Sequence, residues 1–177
     1  MGKFGKKILS IIIPVYNEED NIKIAYDAIT AVMLDMHEKY DYELLFTDNH
    51  STDNTFEILK QLSQTDNHIR VLRFSRNFGY QRSILTGYMH AKGDMAIQLD
   101  CDMQDPPELI LEFLNYWEKG YEVVYGIRKS RQENWLINNV RKMFATNNKI
   151  NDNIVLSIFL HKFASNLLFS LLKSNIY

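Results

Sequence analysis

A single cysteine, Cys101, stands in a chain of 177 residues. A lone thiol excludes an internal disulfide framework and a cysteine-based zinc site, and it fits a reducing compartment. No stretch of 18 uninterrupted apolar residues occurs, so no membrane-spanning helix is expected. The apolar run at 8–13, behind a basic start at 1–7, is too short for a signal-peptide core, and no small-residue cleavage site follows it. Excess charge of one sign is also missing. A net charge of −2 gives no global basic field, so no nucleic-acid partner is expected. Several catalytic templates are absent: a G-x-G-x-x-G fingerprint, a Walker loop, a G-x-S-x-G elbow and an H-E-x-x-H helix.

What is present describes a folded globular chain. Apolar residues make up 46% and charged residues 24%, which excludes disorder, and the length suits one domain. The β-branched run at 8–13, ended by Pro14, reads as a buried strand. A helix is expected over 18–36, with Asn17 as N-cap and Glu18, Glu19 and Asp20 at the positive end of its dipole. Strands at 42–47, 69–74, 94–99 and 121–125 then alternate with helices at 53–64, 81–91 and 106–119. The last helix has Pro106 and Pro107 at its start and Gly120 past its end. Such alternation predicts an α/β domain with a mostly parallel, Rossmann-like sheet flanked by helices. In these sheets ligands sit beyond the carboxyl ends of the strands. The polar clusters at 14–18, 48–53, 76–81 and 100–105 all fall there.

The cluster Asp100-Cys101-Asp102-Met103-Gln104-Asp105 carries the most chemistry. On an extended segment alternate residues point the same way, so Asp100, Asp102 and Gln104 are expected to face one point. Three hard oxygen donors suit Mg²⁺ or Mn²⁺, ions that also take substrate phosphate oxygens. The plainer alternative is an acidic turn that caps the helix at Pro106, and Asp105 suits that cap. Asp48, ending the second strand, is placed to accept from a nucleobase N–H. Capping explains Ser51 and Thr52 as well as function does. Arg76 and Arg128 lie beside loops on the same edge, where guanidinium forks suit phosphate. For Arg82 an exposed salt bridge is the better reading, and for His50 a surface position.

These clusters resemble one family. SIIIPVYNEED at 10–20, TDNHSTDNT at 47–55, RNFGYQRSILTGYMHAKGD at 76–94, QLDCDMQDPPE at 98–108 and VVYGIR at 123–128 are similar, in order and spacing, to family 2 glycosyltransferases of GT-A fold. The likeness is nearest to the subgroup that loads sugars onto polyprenyl phosphate, of the dolichyl-phosphate mannose synthase and bactoprenol glucosyltransferase type. It implies an inverting transfer from a UDP- or GDP-sugar to a lipid phosphate acceptor, within cell-envelope glycan synthesis. It also implies that Pro14, Tyr16 and Glu18, on one loop, bind the nucleotide together with Arg76, Asp100 and Asp48, the last falling on a nucleobase-contacting aspartate. Asp100 and Asp102 fall on the DxD pair for metal and diphosphate, Gln104 on a further metal ligand, and Arg128 beside the phosphates. Asn49 and His50 depart from the family's Asp and Gly.

The expected organisation is a nucleotide-sugar-binding core at 1–130, a linker or partly disordered stretch at 131–153 and an amphipathic helical tail at 154–177. The likeness ends near 130, short of the family's acceptor-binding half. A truncated chain without activity, serving as a partner subunit, is therefore the alternative. Leu156, Leu160, Phe163, Leu167 and Leu171 form the stripe that predicts the helix. His161 and Lys162 argue against a full span, which leaves a membrane-surface contact, packing on the exposed sheet edge, or a homo-oligomer through 154–172. The expected location is the cytoplasm, at the inner face of the membrane.

Overall fold

A computed structural model describes residues 5–127 and, as backbone, residues 154–160. The fold is built on β1 (Lys7–Val15), whose last seven residues are all buried. Its side chains alternate between two faces. Leu9, Ile11, Ile13 and Val15 meet one core, and Ile12 meets another. The elements that follow are α1 (Ile22–Asp35), β2 (Tyr40–Asp48), α2 (Thr55–Thr65), β3 (Ile69–Arg73), α3 (Tyr80–His90), β4 (Met95–Gln98), α4 (Leu109–Glu118), β5 (Val123–Ile127) and β6 (Ile154–Leu160). The sheet order is β3-β2-β1-β4-β6-β5. β1 pairs in parallel with both β2 and β4, and β2 with β3. β6 runs antiparallel to β4 and to β5, so β5 shares the common direction.

Helices cover both faces. Ile22, Ala25, Ile29 and Met33 of α1, Leu59 of α2, and Ile110, Phe113 and Leu114 of α4 fill the larger core. On the other face, α3 presses Tyr88 against Ile12 and Leu45. That approach needs Gly87, because a Cβ there would lie 2.2 Å from Ile12 Cγ2. The α/β, mostly parallel fold expected from the pattern is the one observed.

Boundaries differ for physical reasons. β1 does not stop at Pro14 but runs to Val15, with Pro14 opposite Thr47. In a parallel strand alternate residues aim their polar groups at the same neighbour, and the Ile12 carbonyl accepts from Leu99 N–H on the β4 side. Pro14 faces that side too, where pairing has already ended at Gln98, so its missing N–H costs no ladder bond. α1 begins at Ile22, not Glu18, and Asn17 is not its cap. Asn17 adopts φ 56 and spends its side chain on the next loop. α2 starts at Thr55 and α4 at Leu109. Pro106 and Pro107 form a turn whose carbonyls accept from Leu109 and Ile110.

The largest correction concerns the tail. Residues 154–160 form a strand between β4 and β5 and not the start of a helix. The run IVLSIFL is short and rich in β-branched residues, so its period is ambiguous. Two strand edges waiting for a partner then decide its conformation. The rest of the stripe, from Phe163 onward, and the expected linker at 131–153 lie outside the described residues. No helix among the described residues is long and apolar enough to cross a membrane.

A buried polar knot ties α3 and the start of β4 to the sheet. Ser10 Oγ donates to Glu43 Oε1 at 2.5 Å and accepts from Gly93 N–H at 2.8 Å. Glu43 also accepts from Arg70 Nη1 at 2.5 Å and from Lys92 N–H at 2.6 Å. Burial alone would raise the Glu43 carboxyl, but the donors from Ser10, Arg70 and Lys92 outweigh it and hold the group below its usual value of 4.5. A lowered carboxyl adds stability above its unfolded value, and that stability is lost as pH falls through the folded value. Glu43→Ala, which leaves Ser10 Oγ and the Lys92 amide without their acceptor while Arg70 keeps the His90 carbonyl, is expected to cost about 2 kcal/mol at neutral pH. Urea unfolding of both forms should show this difference shrinking as the pH drops below 4.5.

Candidate functional site

Parallel pairing brings the ends of β1, β2 and β4 to one edge. Sequence order reverses between β1 and β4, and a crevice opens at such a point. There a cavity of about 310 Å³ is walled by Pro14 near the end of β1, Tyr16 and Glu18 after it, Asn49 after β2, and Asp100 and Asp102 after β4. Asn77, Gly79, Tyr80 and Ser83, at the start of α3, close the remaining side.

The loops around it are stitched by side chains that satisfy backbone groups beyond the strand ends. Asn17 N–H donates to Ser51 Oγ at 3.0 Å, and Thr52 N–H donates to Asn17 Oδ1 at 2.8 Å. Glu18 N–H reaches Thr55 Oγ1 at 2.8 Å, Glu19 N–H reaches Asp53 Oδ2 at 3.2 Å, and Asn54 N–H reaches Glu19 Oε2 at 2.9 Å. The two loops therefore hold each other. Ser51 and Thr52 do not cap α2, whose N-cap position is Asn54 with no side-chain cap bond; both bond to Asn17 instead.

Asp48 ends β2 as expected but does not reach the wall. It is fully buried, accepts from Ser51 N–H at 2.9 Å, and lies 3.3 Å from Arg73 Nε. Its neighbour Asn49 takes the wall position. Asn49 Oδ1 accepts from Phe78 N–H at 2.8 Å, and its Nδ2 donates to Asn77 Oδ1 at 2.9 Å. Arg76 stacks on Phe78, 4.8 Å from its centroid, and is not part of the wall. Arg128 lies outside the described residues.

The acidic segment is a turn, not an extended strand. Met103 has φ 56, and Asp102 Oδ1 accepts from Gln104 N–H at 3.1 Å. Alternation therefore does not operate across it. Asp100 and Asp102 still line the cavity, whereas exposed Gln104 does not. Among the described residues no cluster of three or more His, Cys, Asp or Glu is arranged to hold a metal. The chain thus offers two hard carboxylates, a donor set that fits Mg²⁺ or Mn²⁺ shared with substrate phosphates and not an ion caged by protein alone. Burial, then the charges of Asp102 and Asp105, hold Asp100 above the usual carboxylate range, against the hydrogen bonds from Tyr80 and Gln98. Negative charge is concentrated where a cation would relieve it.

Sequence reasoning missed Tyr80, whose hydroxyl donates to Asp100 Oδ1. It also missed Asn77. Both sit in the segment 76–94 that carries the family likeness, but as a loop asparagine and a helix-starting tyrosine they show no periodicity or charge. Only the folded loop brings them to the cavity.

Three comparisons bear on the site. The family model described as "Glycosyl transferase family 2" matches residues 10–172. An uncharacterized glycosyltransferase of Bacillus subtilis, YkcC, is 46% identical over 123 residues, covering 70% of this chain and 38% of its own. The mannosyltransferase PcManGT from Pyrobaculum calidifontis, solved in complex with GDP-Man and Mn²⁺, superposes with a TM-score of 0.65 at 19% identity over 93% of this chain and 47% of its own. Staphylococcus aureus TarS, residues 1–349, in complex with UDP-GlcNAc, gives 0.61 at 16% identity over 90% and 47%. The two structures share the fold. The chain spans less than half the length of these three proteins.

Burial, followed by the charges of Glu18, Asp102 and Asp100, pushes the Cys101 thiol up to about 12. A rise from 9.0 to about 12 leaves on the order of a thousandfold less thiolate than an ordinary cysteine. Iodoacetamide at pH 8 should therefore label the unfolded chain and spare the folded one, as read by intact mass. Rapid labelling of the folded chain would contradict this placement of Cys101.

Proposed function

We propose that this chain, which belongs to glycosyl transferase family 2, binds a nucleoside-diphosphate sugar in the cavity between the ends of β1 and β4 and transfers the sugar with inversion to a lipid phosphate. The observation that carries the reading is the meeting of Asp100 and Asp102 with the Tyr16–Glu18 loop over one cavity at the reversal of strand order. It is supported by PcManGT holding GDP-Man with Mn²⁺ and TarS holding UDP-GlcNAc.

On this reading the nucleoside lies toward Tyr16 and Asn49, whose loops are locked to each other and to the 77–79 turn. Asp48 acts from below, by fixing the turn through Ser51 N–H, and does not touch the base. Asp100 and Asp102 would hold Mg²⁺ or Mn²⁺, whose charge offsets that developing on the leaving diphosphate. The exposed ring of Tyr16 offers a stacking face for the nucleobase. Arg76, Gln104 and Arg128 keep phosphate or metal contacts on this proposal only after loop movement or from outside the described residues.

A lipid phosphate is favoured as acceptor by the likeness of 76–94 and 98–108 to the polyprenyl-phosphate subgroup. The chemistry agrees, because an anionic phosphate attacks without the general base that a hydroxyl needs. The chain would then work in the cytoplasm at the inner face of the membrane, where such headgroups are presented.

Calorimetry with UDP or GDP should show binding that depends on Mn²⁺, and Asp102→Asn should weaken it by tenfold or more, on the order of one charge-assisted contact. Equal affinity in both forms would reject the site. Turnover is then checked with a UDP- or GDP-sugar and a polyprenyl phosphate. Metal-dependent binding without sugar-phosphate product would assign the chain the role of a nucleotide-sugar-binding partner instead of a transferase.

A further inference from the structure

Asp100 is held by two donors that converge on one of its oxygens. Tyr80 Oη–H donates to Oδ1, and Gln98 Nε2 donates to the same Oδ1 at 2.8 Å. Gln98 Nε2 also donates to Tyr80 Oη at 2.9 Å, which closes a three-membered ring of hydrogen bonds. Gln98 is buried at the last position of β4, so one corner of the ring belongs to the sheet. Tyr80 is the first residue of α3. The Tyr80 hydroxyl is the donor in this pair, because a phenol carries its proton at neutral pH and a carboxylate oxygen accepts.

Tyr80 is itself placed by an amide relay. Gly79, with φ 91, precedes it, and Gly79 N–H donates to Asn77 Oδ1 at 2.8 Å. The same Oδ1 accepts from Asn49 Nδ2. A non-glycine residue at that φ would be strained, so the chain reverses there at low cost and brings the tyrosine ring over the cavity. The relay runs from the end of β2, through the 77–79 turn, to the carboxylate after β4.

We propose that Tyr80, with Gln98, is a positioning residue that clamps Asp100 in one orientation, engaging Oδ1 and leaving Oδ2 for the cation that the ligand's diphosphate would share. The inference rests on the nucleotide-diphosphate reading of the cavity and names the groups that make Asp100 effective there. A free carboxylate rotates, and ordering it on binding costs affinity. Here that ordering is built into the fold. Asn49 contributes at a distance, by setting the turn that carries Tyr80.

The test uses the whole chain and two independent measurements. Calorimetry compares wild type and Tyr80→Phe for Mn²⁺ with UDP or GDP, and for uridine or guanosine, which lack the phosphates. The clamp predicts that the diphosphate weakens by about tenfold, the worth of one hydrogen bond to a charged group, with nucleoside binding unchanged. Undiminished diphosphate affinity, or an equal loss for nucleoside and diphosphate, would overturn it. In parallel, a double-mutant cycle of Tyr80→Phe and Asp100→Ala is read by urea unfolding. Coupled effects support the clamp, and additive effects reject it whatever the nucleotide does. A wild type that ignores nucleotide and Mn²⁺ while the cycle remains coupled rejects the diphosphate reading and retains the Tyr80–Asp100 bond.

Discussion

The parallel pairing of β1 with β2 on one side and β4 on the other is the constraint on which the rest of the molecule depends. It makes β1 a strand with no solvent-facing edge, so its apolar run must be covered on both faces, which α1 and α3 do. It also forces the crossovers between the parallel strands to return over the sheet and deliver the ends of β1, β2, β3 and β4 to the same edge. The chemistry then collects at that edge because the backbone there has left the ladder and needs other partners.

How those partners are found shapes the site. Beyond Val15 and Asp48 the two loops satisfy each other's amides through Asn17, Ser51, Asp53 and Thr55. These bonds hold the wall formed by Tyr16 and Glu18 without a ligand. The opposite wall depends on the amide pair Asn49–Asn77 and on Gly79. Asn49, where the family pattern has an acid, makes this possible, since a carboxylate could accept from Phe78 N–H but could not donate to Asn77.

Burial distributes the work among the carboxylates. Asp48, fully enclosed beside Arg73, holds a turn. Glu43, enclosed with Ser10 and Arg70 well inside the sheet, holds the turn between α3 and β4 through the Lys92 amide. Asp100 and Asp102 alone among these face the cavity. In the sequence Asp48 and Asp100 each open a polar cluster at the end of a strand, and nothing local separates the structural role of one from the cavity position of the other. What separates them is depth, which is a property of the packed sheet.

The order of strands and helices through residue 127, the mostly parallel sheet and the edge at which polar clusters gather were legible in the sequence, because hydrophobic periodicity and turn residues are local signals. Pro14 misled as a strand end because its harmlessness depends on which neighbour its missing N–H faces. Residues 154–160 misled because a short β-branched run takes the conformation its neighbours offer, and the open edges of β4 and β5 lie far from it in the chain. The same distance hid the clamp on Asp100. Tyr80, Gln98 and Asp100 become partners only when α3 crosses the sheet and sets its first residue beside the end of β4. Residue type and local pattern determine which groups lie at the edge; which of them touch is decided by the closing of long loops over one sheet, a contact no local pattern encodes.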